Sequence, residues 1–434
     1  MSSSAPDPHP TSGEDRGLSR RRLVQGAAGG AAVGALAVGG SAWAMTDRGS
    51  TAGQSDQEAD RDTVDLSQSH PFYGSGAQAG VFTPPQRHAL FMTFTMVAGT
   101  TASDLQSLLA RWSAAIAQLT QGKSIGAVEP TRAGAVAPDT GEAFNLDPAS
   151  LTVTIGLGPS LFDDRFGLKD KRPALLTDLP DLPSDSLQPG LTGGDLSLQA
   201  CADDPQVAYH AIRNLARMVR GTADTHWTVM GFGRASAGAG QYTPRNLMGF
   251  KDGTRNITEE ADRTKFVTIA DADQKWLEGG TYQVVRKIEM DIEIWDADPV
   301  SDQQHVFGRT KDEGAPLSGT KEFDTPDFHK AGAVNGLAIP ATSHVALAAP
   351  ENNGGVKILR RGYNYTDGIN QYGQLDAGLL FIAYLNDPAH FITLQKKLGS
   401  SDRLNEYISH IGSGLFAVPP APATGHYVGE ALFA

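Results

Sequence analysis

The sequence predicts an α+β protein made of a duplicated module, with antiparallel β-sheets covered by helices. Three observations predict it. Apolar strand-like runs alternate with amphipathic helical runs in both halves of the chain. The stretch LSLQACADDPQVAYHAIRNLAR has an echo in LLFIAYLNDPAHFITLQKKLG, each an apolar strand, then Asp-Pro, then an amphipathic helix. The composition, 40% hydrophobic and 20% charged over 434 residues, is that of a globular chain long enough for about two domains of ordinary size. Strand–helix–strand order in each half is the ferredoxin-like pattern. Two such modules in one chain are barrel-like, in the manner of a dimeric α+β barrel. The alternative is coincidence between two ordinary strand–helix junctions.

Near the N-terminus stands Ser19-Arg20-Arg21-Arg22-Leu23-Val24, then a weakly apolar Gly/Ala-rich run, then SAWA with Ala42 and Ala44 at A-x-A spacing. A basic region, an apolar region and a small-residue site make a secretory signal. Adjacent arginines and low hydrophobicity make it a twin-arginine (Tat) signal over residues 1–44, cleaved after Ala44. An uncleaved membrane anchor is the other reading, but the run is short and rich in glycine. Residues 45–70 are polar and Gly/Ser/Asp-rich, a disordered linker. On this reading nothing spans a membrane after cleavage, and the mature protein is extracytoplasmic.

The first module, 71–235, starts with a buried strand over 88–98. A helix follows from Ala102, with Leu105, Leu108, Leu109, Trp112 and Ile116 on one face. Residues 151–158 form a strand and 177–190 a Pro-rich loop. A strand through Cys201 leads to a helix started by Asp204-Pro205, and 226–233 closes the module as a strand. The second module, 236–434, repeats the device at Asp387-Pro388.

Net charge is −13 and the pI about 5.3, which argues against nucleic acid and anionic membrane as partners. The lone Cys201 excludes internal disulfides, zinc clusters and iron–sulfur centres. It reads as a buried structural thiol or, less well, as a haem thiolate.

In NLMGFKDGTRN, Asp252 lies between Gly249 and Gly253. Asp-Gly is a common turn dipeptide, and glycines also let a backbone bend sharply or approach a ligand. Among eleven histidines there is no H-E-x-x-H and no His-x-His. A single histidine suffices as the axial ligand of a haem. His344, in the middle of GLAIPATSHVALAAP, is the best candidate, its other reading being a core histidine. Then comes ILRRGYNY, where alternation puts Ile358 and Arg360 on one face and Leu359 and Arg361 on the other.

An inward Asp, an inward Arg and a His ligand together make a peroxidase site. A carboxylate can carry the proton that peroxide must move between its oxygens, and an arginine balances the developing negative charge. The axial imidazole needs a hydrogen bond at its other nitrogen. Asp402 and Glu406, four apart on an expected helix, are the candidates, and both also fit a surface helix.

NLMGFKDGTRN resembles the GxxDG motif of dye-decolorizing (DyP-type) peroxidases. SHVALAAP with ILRRGYNY is similar to that family's proximal-histidine and distal-arginine segment, and GLLFIAYLNDP and LNEYISHIGSGLFAVPP resemble its C-terminal stretch. The likeness runs from about residue 75 to the end. With the Tat signal it implies the exported, EfeB-like deferrochelatase/peroxidase subgroup. The resemblance implies one haem b, with Asp252 as distal acid–base group, Arg360 as distal arginine and His344 as iron ligand. It sets Gly253, Thr254 and Arg255, and the Ala349-Pro350-Glu351 turn, against the haem, and makes Phe381 a wall of the distal pocket. It implies hydrogen peroxide and a bulky phenolic or anthraquinone-type reductant, with Tyr363, Tyr365, Tyr372, Tyr384 or Trp295 as electron relays. It also implies a second role, haem or iron handling, with the Tat machinery and an iron-uptake or copper protein as partners. The sequence departs from the family at Ala346, often arginine there, and at Arg255, often small.

Overall fold

The computed structural model describes residues 64–434. The expected signal, 1–44, and the linker as far as residue 63 lie outside the described residues.

The first half runs β1 (His88–Met96), α1 (Ala102–Leu119), β2 (Thr152–Leu157), β3 (Leu196–Ala202), α2 (Pro205–Met218) and β4 (Ala223–Arg234). The second runs α3 (Glu260–Phe266), β5 (Thr281–Met290), α4 (Ile292–Ala297), α5 (Val300–Phe307), β6 (Ala331–Val334), α6 (His344–Ala348), β7 (Leu359–Arg360), β8 (Tyr363–Ile369), β9 (Leu375–Leu385), α7 (Pro388–Ser401) and β10 (Ile408–Val418). The strands pair in the order β5-β10-β2-β3-β1-β4-β8-β9-β7, and β5 also pairs with β9. That last pairing closes the sheet into a ring. Each half contributes four neighbouring strands in the same relative order, β2-β3-β1-β4 and β8-β9-β5-β10, and every pairing is antiparallel. This is the duplicated ferredoxin-like architecture.

Local chemistry fixes the helix starts. Thr101 and Asp104 form a reciprocal capping box at α1. Asp204 accepts the Gln206 and Val207 N–H groups at α2, and Asp387 accepts that of Ala389 at α7, with proline at the first helical turn in both. The Asp-Pro echo thus marks equivalent helices. The alternating faces of the strands then sort the core. Leu90 and Phe94 meet Leu105 and Trp112 of α1 on the outer face. Phe91, Trp227, Tyr363, Tyr365, Tyr384 and Phe416 fill the other side of the ring. Cys201 is fully buried in β3 as a free thiol.

The helix expected around Asp402 and Glu406 is instead one short turn, Arg403–Glu406, followed directly by β10. Asp402 ends α7 and caps that turn by accepting the Leu404 N–H at 2.9 Å, and pairing with β5 claims the residues beyond it as strand. Among the described residues no helix is long and apolar enough to cross a membrane.

The halves differ in one respect that matters. Between β1 and β2 the chain places a helix and a loop. Between β5 and β8 it places α4, α5, β6, α6 and β7. That longer insertion carries Arg309, His344 and Arg360, and the loop between β4 and β5 carries Asp252.

Candidate active site

Asp252 is presented by a loop after β4. Asn246 Oδ1 accepts the N–H groups of Met248 and Phe250, closing a tight turn in which Gly249 has φ +84°. Gly253 has φ +97°, and a Cβ there would lie 2.9 Å from Ala237 N. Both glycines are therefore required by backbone geometry. Asp252 Oδ2 accepts Asn246 Nδ2 at 3.2 Å, and Oδ1 accepts Arg360 Nη1 at 2.6 Å.

Arg360 belongs to the two-residue strand β7, paired with Ala383. Its other edge is held by Asn256, whose side chain acts as a substitute strand. Asn256 Oδ1 accepts the Arg360 N–H at 2.8 Å, and its Nδ2 donates to the Arg360 carbonyl at 2.8 Å and to Ala237 O at 3.0 Å. Alternation separates the two arginines as expected. Ile358 and Arg360 line the cavity. Arg361 is buried on the far side, donating to Thr83 O and Gln86 Oε1.

His344 opens α6, where Ser343 Oγ accepts the Ala346 N–H as the cap. Its Nδ1 lies 2.6 Å from Asp402 Oδ2. Asp402, not Glu406, is the supporting carboxylate. Burial alone would lower the histidine pKa, but the charge and hydrogen bond of Asp402, helped by Asp252, raise it overall. Donation of Nδ1–H to Asp402 puts the lone pair of the neutral ring on Nε2. Ala346 is buried.

These groups meet in one cavity of about 240 Å³. Asp252, Gly253, Thr254, Arg255 and Arg360 line it, and so do His344, Ala349, Pro350 and Phe381. Glu351 is not among the lining residues, and its side chain pairs with Arg255 at 2.6 Å. Two residues were not anticipated. Asn256 ends the NLMGFKDGTRN stretch, from which no role is assigned to it. Arg309, only 6% exposed, also lines the cavity and makes no ion pair among the described residues, donating to Gly314 and Glu322 carbonyls. Burial pushes its pKa down, against the pull of Glu322. A lone arginine following a glycine-capped helix gives no signal in sequence. Ile288, Met290 and Leu379 supply apolar wall.

A haem is a flat apolar ring with an iron that takes a nitrogen ligand and two carboxylates that need cations. The residues present fit it: apolar walls, an imidazole oriented by a carboxylate, and a buried guanidinium without a carboxylate partner.

The class that this ring-shaped fold and this set of groups define is an oxidoreductase acting on peroxide. Residues 78–233 match the N-terminal domain of the Dyp-type peroxidase family, and residues 243–423 match its C-terminal domain. The chain belongs to the DyP-type peroxidases, whose cofactor is haem. It is 37% identical over 428 residues to a deferrochelatase of Yersinia pseudotuberculosis, covering 95% of this chain and 94% of that one. It is equally similar, 37% over 429 residues, to a deferrochelatase of Escherichia coli O157:H7, covering 95% and 96%. A DyP-type peroxidase structure from Streptomyces coelicolor superposes with a TM-score of 0.77 at 38% identity, over 85% of this chain and 98% of that one. Ferric DtpA from Streptomyces lividans gives the same figures, 0.77, 38%, 85% and 98%.

Proposed function

We propose that the chain binds one haem b and reduces hydrogen peroxide with electrons taken singly from bulky phenols or anthraquinone-type dyes. His344 would ligate the iron through Nε2, Arg309 would pair with the porphyrin carboxylates, and Gly253, Thr254, Arg255, Ala349, Pro350 and Phe381 would pack against the ring. When bound, the haem supplies the redox iron at which the O–O bond is cleaved. Asp252 takes a proton from one peroxide oxygen and returns it to the departing oxygen. Arg360, fixed against it, offsets the negative charge that builds up as the bond breaks. Asp402 holds the imidazole in one tautomer and one orientation. Two reductant molecules, one electron each, complete the reduction of peroxide to water. Substrates too large for the cavity give up their electrons at the surface, through Tyr or Trp relays.

One observation carries this reading. The Asp252–Arg360 pair, 2.6 Å apart, shares its cavity with a histidine whose Nδ1 is held by a carboxylate. An absorption spectrum of the purified protein, before and after one equivalent of hydrogen peroxide, tests it. A histidine-ligated ferric Soret band that shifts rapidly is expected. No Soret band, even after haem is added, removes the reading.

A second reading is release of iron from haem. It is favoured by the curated relatives, deferrochelatases at 37% identity across 95% of the chain. Fluorescence of metal-free porphyrin after incubation with haem is its measurement. Export by the Tat machinery belongs to the same proposal and is supported by Arg20, Arg21 and the A-x-A site; an iron-uptake system or copper protein as its company is proposed with it, and no residue names one. Replacing Arg20 and Arg21 by lysine should leave the protein inside the cell. Division into modules at 71–235 and 236–434 is likewise proposed, on the repeated strand order.

A further inference from the structure

Two ion pairs tie the loop carrying Asp252, and helix α3 that follows it, to the segment that follows His344. Arg255 donates to both carboxylate oxygens of Glu351, at 2.6 and 3.0 Å. Lys357 Nζ donates to Asp262 Oδ2 at 2.6 Å. The polarity alternates: the cation stands on the Asp252 side in the first pair and on the His344 side in the second. Such crossed polarity favours one alignment of the two segments, because a slip would set like charges together.

Both cations line the cavity, and so do Thr254, Pro350 and Val356 beside them. The pairs therefore lie at the cavity's edge and join one wall to the other. No backbone hydrogen bond joins residues 252–262 to 344–357 among the described residues. This edge is closed by side chains alone. The four side chains are partly exposed, 38% and 45% in the first pair, 37% and 25% in the second. Pairs of that kind are individually weak and are screened by salt. The Arg255 hydrogen bond holds the Glu351 carboxyl below the usual carboxylate range, so the first pair stays charged in mild acid. A porphyrin can pass this edge only if the walls part, whereas peroxide is small enough not to need that.

We propose that the Arg255–Glu351 and Lys357–Asp262 pairs form a clasp on the cavity rim that sets how fast haem leaves and enters. The proposal rests on haem being the occupant. It gives the chain a means of holding or surrendering its cofactor that is separate from the groups handling peroxide.

The test loads the full chain with haem, mixes it with excess apomyoglobin and follows haem transfer by the Soret change. Arg255→Ala, Glu351→Gln and Lys357→Ala should each lose haem about two- to fivefold faster, and Arg255→Ala with Lys357→Ala about tenfold faster. Reversing the first pair, Arg255→Glu with Glu351→Arg, should restore slow loss. Added salt should speed loss from the unaltered protein and have little effect on the Arg255→Ala, Lys357→Ala variant. Thermal melts show that each variant is folded. Unchanged loss from the double variant, or a reversed pair that stays fast, overturns the clasp. A chain that takes up no haem at all overturns the haem reading instead, so the two failures are distinct.

Discussion

Asp402 serves two masters with its two oxygens: Oδ2 sits 2.6 Å from His344 Nδ1, and Oδ1 accepts the Leu404 N–H at 2.9 Å. The carboxylate that orients the imidazole is thereby locked by the turn it starts. Asp402→Asn keeps the cap and removes the charge. It should lower haem affinity or peroxide reactivity by about 10- to 100-fold with little change in melting temperature. Asp402→Ala should lose the cap as well, about 1 kcal/mol of stability. Equal peroxide kinetics in Asp402→Asn and unaltered protein would show that the hydrogen bond is merely structural.

Asp252 and Arg360 should behave as one unit. Asp252→Ala is expected to slow the reaction with peroxide by about 10²–10⁴-fold, and Arg360→Ala by about 10²–10³-fold. The double variant should be no worse than about the poorer single, because groups acting together are not additive. Stopped-flow mixing with peroxide measures all three, and an unchanged rate in Asp252→Ala removes its catalytic role.

Asn256 touches neither peroxide nor iron on this account; it positions Arg360 through the backbone. Asn256→Ala removes the partner of the part-buried Arg360 N–H and of the Arg360 and Ala237 carbonyls, which should cost about 1–3 kcal/mol in chemical denaturation. It should also lower kcat/KM for peroxide while leaving the KM for the aromatic reductant near its original value. Loss of stability without that split would confine Asn256 to a structural role.

Gly253 has no room for a side chain. Gly253→Ala combines a left-handed backbone with a clash against the Ala237 backbone, and strain of this kind costs about 1–3 kcal/mol. A melting curve should show the loss, and haem uptake should weaken because Asp252 and Thr254 move with it.

His410 gives the protein a pH dependence of its own. It is buried, and burial, reinforced by the neighbouring Arg286, pushes its pKa down to about 3. An unfolded histidine titrates near 6.5, so between these values the unfolded state binds the extra proton. Stability from keeping His410 neutral is thus complete above about pH 6.5 and is lost progressively as pH falls toward 3. Gln395 contacts the ring at 3.3 Å and Asp185 pairs with Arg286, so neither supplies a direct counter-charge to an imidazolium. Denaturation measured across this range should show a flatter acid limb in His410→Asn.

Much of the fold was legible because it is local. The caps at Asp204 and Asp387, the apolar face of α1 and the alternation through Arg360-Arg361 are set by neighbours a few residues away. The motif around Asp252, the candidate His344 and the likeness to DyP-type peroxidases were likewise written in short segments. Tertiary structure decided what depended on residues far apart. It closed the ring through the β5–β9 pairing and chose Asp402 over Glu406. It brought in Arg309, which no motif marks, gave Asn256, the last residue of the stretch around Asp252, its hold on Arg360, and paired Glu351 with Arg255. The reason is physical. Helix caps and strand faces follow from the 3.6- and 2-residue periods of the backbone. A hydrogen bond across 58 residues, as between His344 and Asp402, depends on the pairing of β5 with β10 and on where α7 ends, which no local period dictates.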